Sequence, residues 1–98
     1  MAEVRLNALA RYDLAEIDEY GALEFGLPVA DDYSRGFHDT FDLLRRHPLA
    51  GAARPELGSG VRCIVHRKHR VFYIVKPDLV QVLRIFHHSR DVQRSHLP

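Results

Sequence analysis

An α+β fold, with a helical hairpin laid on a small antiparallel sheet, follows from three features of the sequence. Residues 8–47 carry apolar side chains at helical spacing in two successive stretches. Residues 48–60 hold Pro48, Gly51, Pro55, Gly58 and Gly60, a composition that breaks regular structure. Residues 61–86 then switch to short runs rich in Val, Ile, Leu and aromatic residues, the pattern of strands. The predicted order is β-α-α-β-β-β. It forms one domain over residues 1–98, because a chain of 98 residues has room for one core.

The first strand is Glu3 to Leu6, with Val4 and Leu6 on one face. Asn7 follows as an N-cap that accepts a bond from an open backbone N–H. Ala10, Leu14, Ile17, Gly21 and Phe25 then fall on one helical stripe. Asp13, Glu16, Asp18, Glu19 and Glu24 crowd the remaining surface. Gly26 suits the left-handed residue that ends a helix, and Pro28 suits the first turn of the next. A two-residue link, Gly26-Leu27, makes the helices an antiparallel hairpin. In the second helix Ala30, Tyr33, Phe37, Phe41 and Leu44 form a clean seam. Gly36 interrupts it at a cost of about 1 kcal/mol of helix propensity, which points to close approach by another backbone. Arg45, Arg46 and His47 complement the helix dipole, and Pro48 stops the helix.

Three strands follow: Val61 to His66, Arg70 to Lys76 and Leu79 to Phe86. Arg67-Lys68-His69 and Pro77-Asp78 are the turns between them. Val71 to Val75 is apolar on both faces, as a central strand is. The hairpin must cover one face of the sheet, with Phe37, Phe41, Leu14 and Ile17 between them. Ser89 to Pro98 is polar and reads as a short helix or a tail.

The composition excludes several classes. No apolar run approaches the ~20 residues of a membrane helix. Met1 to Arg5 lacks the apolar stretch of a secretory signal. A single cysteine, Cys63, forms no internal disulfide and suits a reducing compartment. The expected location is the cytoplasm. Net charge is +1, yet residues 1–50 carry −5 and residues 51–98 carry +6. The split predicts an acidic and a basic face. Either the two attract each other on folding, or the basic half meets an anionic partner, a nucleic acid or an acidic protein segment.

Chemical motifs are sparse. His66-x-x-His69 has half the spacing of a metal site, but residues three apart on a strand point to opposite faces and no second pair accompanies them, so solvated turn histidines are expected and no metal. Cys63, His87 and Asp91 are the residue types of a cysteine-hydrolase triad, but Cys63 lies inside a strand pattern and not on a nucleophile turn. Gly58-Ser59-Gly60 is not followed by a helix and lacks a phosphate cradle. No cofactor motif remains. Arg84 interrupts an apolar strand. It must reach solvent, pair with Asp91 or a helix carboxylate, or join Arg62 on a sheet face bearing two arginines that meets a charged ligand.

Taken in order, several segments resemble the ParE toxins of the RelE/ParE superfamily. These are Leu6-Asn7-x-x-Ala10-x-x-Asp13-Leu14-x-x-Ile17-x-x-Tyr20, Gly26-Leu27-x-x-Ala30-x-x-Tyr33, Leu44-x-x-x-Pro48-x-x-Gly51 and Arg54-Pro55-Glu56-Leu57-x-x-Gly60-Val61-Arg62. Val71 to Val75 and the closing Arg84-Ile85-Phe86-His87-His88-Ser89-Arg90-Asp91 complete the set, which covers nearly the whole chain. The resemblance implies the toxin half of a type II toxin–antitoxin pair, with a cognate ParD-like antitoxin as partner and DNA gyrase as target. It draws attention to Arg62, Arg84, His87, Arg90 and Asp91 as binding residues. RelE members, on the same fold, cleave messenger RNA on the ribosome; for that chemistry Arg62, Arg84 and His87 are the candidates, and direct nucleic-acid binding is expected only in that case. Many RelE-like nucleases carry a tyrosine shortly after the last strand, where this chain has Gln93. An amide transfers no proton near neutral pH, and the departure favours an inhibitor that acts by binding. A remnant that pairs with an antitoxin and poisons nothing is the third reading.

Overall fold

Asn7 separates the first strand from the first helix because its side chain accepts a hydrogen bond from the Ala10 N–H at 3.0 Å, as its type and position predict. In the computed structural model, which describes residues 1–98, the elements run β1 (Glu3–Leu6), α1 (Ala8–Phe25), α2 (Leu27–Arg46), β2 (Ala52–Ala53), β3 (Val61–His66), β4 (His69–Lys76) and β5 (Leu79–His87). Short 3₁₀ turns occupy Pro55–Leu57 and Arg94–His96. Gly26 alone links the helices. Its φ of 86° is left-handed, its N–H closes α1 by donating to the Ala22 carbonyl, and Leu27 is already helical, so the expected two-residue link is one residue.

The sheet has five strands in the order β1-β5-β4-β3-β2. It is mixed, which corrects the antiparallel expectation: β1 runs parallel to β5, with Glu3 opposite Leu79 and Leu6 opposite Val82. The edge of β5 needs partners for its backbone groups, and a strand leading into the hairpin lies beside it in the same sense. β2 is only two residues long, paired with Cys63 and Arg62, too short to show a strand period. The turn between β3 and β4 is Arg67-Lys68 alone, and His69 opens β4 opposite His66.

Central β4 has Val71, Phe72 and Tyr73 fully buried, as its apolar run predicts. Alternate residues feed two cores. Val71 and Tyr73, with Val80, Val82 and Ile85, meet Ala10, Phe37, Phe41 and Leu44 of the hairpin. Leu14 and Ile17 pack against this core but are only partly buried. Phe72 faces the other way, joining Leu57, Val61, Cys63, Leu83, Phe86 and Val92. The first 3₁₀ turn and the C-terminal tail thus close the second sheet face, through Leu57, Val92 and the partly buried Leu97. Gly36 does admit a neighbour, but it is a side chain and not backbone: a Cβ added there would overlap the His66 imidazole. His66 Nε2 sits 3.1 Å from the Tyr33 carbonyl. No helix is long and apolar enough to cross a membrane.

Burial of the hairpin stripe is uneven. Phe37, Phe41 and Leu44 are at most 4% exposed, whereas Leu23, Phe25 and Leu27 near the hairpin tip are 62–79% exposed.

Candidate functional site

Beyond the ends of β4 and β5, the hairpin stripe runs on with no sheet against it. The space below the tip is a groove of about 470 Å³. Ile17, Gly21 and Phe25 of the first helical stripe line it, with Val29, Ala30 and Phe37 of α2. The helices lie close there, and a Cβ on Gly21 would make ordinary contact with the Ala30 side chain. Lys68, His69 and His87 form the sheet end of the groove, and Glu16 and Asp18 come from α1.

Aromatic and imidazole rings lock this end. The Tyr33 hydroxyl lies 2.7 Å from His69 Nδ1 and accepts the Lys68 backbone N–H at 3.2 Å. Tyr33 and Phe37 pack edge-on against both His66 and His69, and His69 stands perpendicular to His87 at 5.4 Å between ring centres. Burial, with the neighbouring imidazoles adding to it, pushes His69 down to about 4. Burial likewise lowers His66. These histidines are therefore neutral packing elements and not solvated turn residues. They also face one another: they are three apart but flank a tight turn, so they pair across it and lie on one face of the sheet. No third His, Cys, Asp or Glu completes a metal site with them.

The two arginines do not share a ligand-facing surface. Arg84 donates from Nε and Nη2 to the two carboxylate oxygens of Asp13 at 2.8 and 2.9 Å, with both side chains largely buried. The same carboxylate accepts the Ile85 N–H at 3.0 Å. Its place follows from the topology. β1 ends opposite Val82, so the edge of β5 beyond it lacks a strand, and Asp13 on α1 supplies the acceptor instead. The paired carboxylate raises the pKa of Arg84 above its ordinary value. Of the partners weighed for Arg84, the helix carboxylate is the one found. Arg62 donates to the carbonyls of Gly51 and Leu49 at 3.1 and 3.2 Å and, with the Tyr73 hydroxyl, ties down the loop after α2.

His87, Arg90 and Asp91 are exposed. His87 Nδ1 accepts the Ser89 N–H at 3.2 Å, with the Ser89 hydroxyl at 2.7 Å. Arg90 lies over the Phe86 ring, 4.4 Å from its centre. Cys63 is buried in the second core, where desolvation pushes its thiol pKa up, so no triad forms with His87 and Asp91. Gln93 is engaged in the last 3₁₀ turn, its N–H donating to His96 Nδ1 at 2.9 Å. The groove residues Phe25, Val29, Tyr33 and Lys68 did not stand out in the sequence as a site. The signal was present: Leu23, Phe25, Leu27 and Val29 crowd a hairpin tip, where solvent favours polar residues.

Known proteins share this architecture and sequence. A family model described as the ParE toxin of the type II toxin–antitoxin system parDE matches residues 4–92. Toxin ParE1 of Caulobacter vibrioides is 33% identical over 97 residues, covering 99% of each chain. A chain of the chromosomal ParDE toxin–antitoxin system from P. aeruginosa superposes with a TM-score of 0.75 at 25% identity, over 89% of this chain and 96% of that one. A chain of the RelBE2 toxin–antitoxin complex from Mycobacterium tuberculosis shares the fold, with a TM-score of 0.59 at 24% identity over 91% and 93% of the two chains. With the family model spanning β1 to the tail and a relative of this identity matching end to end, the chain belongs to the ParE toxins of type II toxin–antitoxin systems.

Proposed function

We propose that a ParD-like antitoxin neutralises this toxin by laying an amphipathic helix into the groove under the hairpin tip, and that the free toxin inhibits DNA gyrase by binding and not by catalysis. The uncovered apolar stripe carries the first part. Large exposed apolar surface is costly in an isolated domain and suits a helix-in-groove partner. The second part is supported by how the nuclease candidates are engaged. Of the three, Arg84 holds Asp13 and Arg62 holds the loop after α2, and only His87 is exposed. RNA cleavage needs a base, an acid and free cations around one phosphate.

The deciding experiment sets purified chain against gyrase and, in parallel, against ribosome-bound messages in reconstituted translation. Blocked supercoiling with intact messages is the expected result, and His87→Gln should leave it unchanged. Site-specific cleavage with gyrase unaffected would overturn the proposal in favour of the endoribonuclease. A chain inert in both assays that still co-purifies with the product of the neighbouring small reading frame would be an antitoxin-binding remnant.

A further inference from the structure

The groove is not uniformly apolar. Its floor is hydrocarbon and aromatic, from Ile17, Phe25, Val29 and Phe37, but its walls carry charge of both signs. Glu16 and Asp18 enter from α1, are exposed, and take part in no salt bridge. Lys68 enters from the β3–β4 turn, equally exposed and equally unpaired. Its neighbour Arg67 is different: that guanidinium reaches Asp32 at 3.4 Å and lies over the Tyr33 ring. His69, beside Lys68, is held neutral by burial and brings no charge near pH 7.

We propose that the groove selects its occupant by charge as well as by shape, and takes a helix whose apolar stripe is bordered by both basic and acidic side chains. The inference rests on reading the groove as the antitoxin's docking site and adds the chemistry of the docking segment. In the free toxin the three groove charges are solvated at no cost. An occupant that covers the floor strips part of that water, and each charge then needs an opposite one. A flank with the wrong sign adds repulsion to lost hydration, so the groove rejects apolar helices of similar shape but different charge.

Three synthetic peptides sharing one leucine stripe and one length test this, with the purified full chain and binding read by fluorescence anisotropy. One carries both Lys and Glu beside the stripe, the second Glu alone, the third Lys alone. The mixed peptide should bind about tenfold more tightly than either, and the margin should shrink as salt rises. Lys68→Glu should transfer the preference to the doubly basic peptide. Lys68 is an exposed turn residue whose hydrogen bonds are made by its backbone and not its side chain, so the variant folds. E16K/D18K, on an exposed helix surface, should transfer the preference to the doubly acidic peptide. Equal binding of all three peptides would sink the charge inference and leave the groove as an apolar docking site. Binding of none would sink the groove reading itself.

Discussion

One apolar stripe runs the length of the hairpin, and its two ends meet different surroundings. At the base, Phe37, Phe41 and Leu44 pack with Val71, Tyr73, Val80 and Val82, and each of the three is at most 4% exposed. At the tip, Phe25, Leu27 and Val29 continue beyond the sheet and stay exposed. The helices are thus longer than the sheet they cover. The base supplies stability, and the tip supplies surface that a second molecule can bury. An end with both duties would have to compromise between tight packing and access.

The contrast breaks most visibly at the base. Phe37→Ala removes a ring that is 1% exposed and wedged among Tyr33, Phe41, His66 and His69. The expected loss is about 3–5 kcal/mol in a denaturant melt, a large share of what a small domain possesses. A loss below about 1 kcal/mol would mean that the base is not the stabilising end.

Asp13 comes next. Asp13→Ala leaves the Arg84 guanidinium largely buried without its carboxylate and the Ile85 N–H without its acceptor. The expected cost is about 2–3 kcal/mol. Asp13→Asn should recover part of it, because an amide oxygen still accepts from Ile85 but no longer offsets the charge. Equal stability of the two variants would show that the Ile85 bond contributes nothing.

How far each end was legible in the sequence follows from what sets it. Phe37, Phe41 and Leu44 at the base, Asn7 as a cap and Val71–Tyr73 as the central strand came from periodicity and turn chemistry, which are local. The parallel pairing of β1 with β5 was not legible, because a four-residue strand carries no mark of its partner's direction. Nor was the two-residue β2, or the second core that the tail closes, since Val92 and Leu97 are lone apolar residues in a polar stretch. At the site, a helix carboxylate was one of the partners open to Arg84, but Asp13 lies 71 positions away and only the fold brings them together. The place of the groove was not legible, because a helical stripe looks the same whether or not a sheet lies beneath it.

Acid should loosen the boundary between the two ends, where His66 and His69 join α2 to the sheet. His69 is pushed down from its ordinary 6.5 to about 4. The unfolded chain takes up the proton near 6.5 and the folded one does not. This contribution to stability is therefore complete above pH 6.5, declines as pH falls towards 4, and levels off below that. Because the ring is only partly buried, screening reduces the effect to about 1–2 kcal/mol. His69→Gln should flatten the acid limb of a stability–pH curve. A remaining slope over the same interval would come from His66, which burial lowers as well. An unchanged slope would show that His69 is solvated.

The smallest effect on stability belongs to the tip, and it is the one that tests the comparison most sharply. Leu23 is 79% exposed and Phe25 62%, so replacing either by Ser uncovers little surface that the fold had buried. The change in unfolding free energy should stay within about 0.5 kcal/mol, the usual range for surface positions. Phe25 lines the groove, whereas Leu23 does not. If the tip exists to be covered by a partner, Phe25→Ser should weaken the complex with the co-expressed neighbouring product by at least about tenfold, as loss of a buried aromatic anchor does. Leu23→Ser, at a still more exposed position outside the groove, should weaken it far less. Two variants of equal stability and unequal affinity would place the docking surface on the groove side of the tip. If both lost stability as Phe37→Ala does, the tip would be part of the core after all. If neither lost affinity, the partner would bind elsewhere.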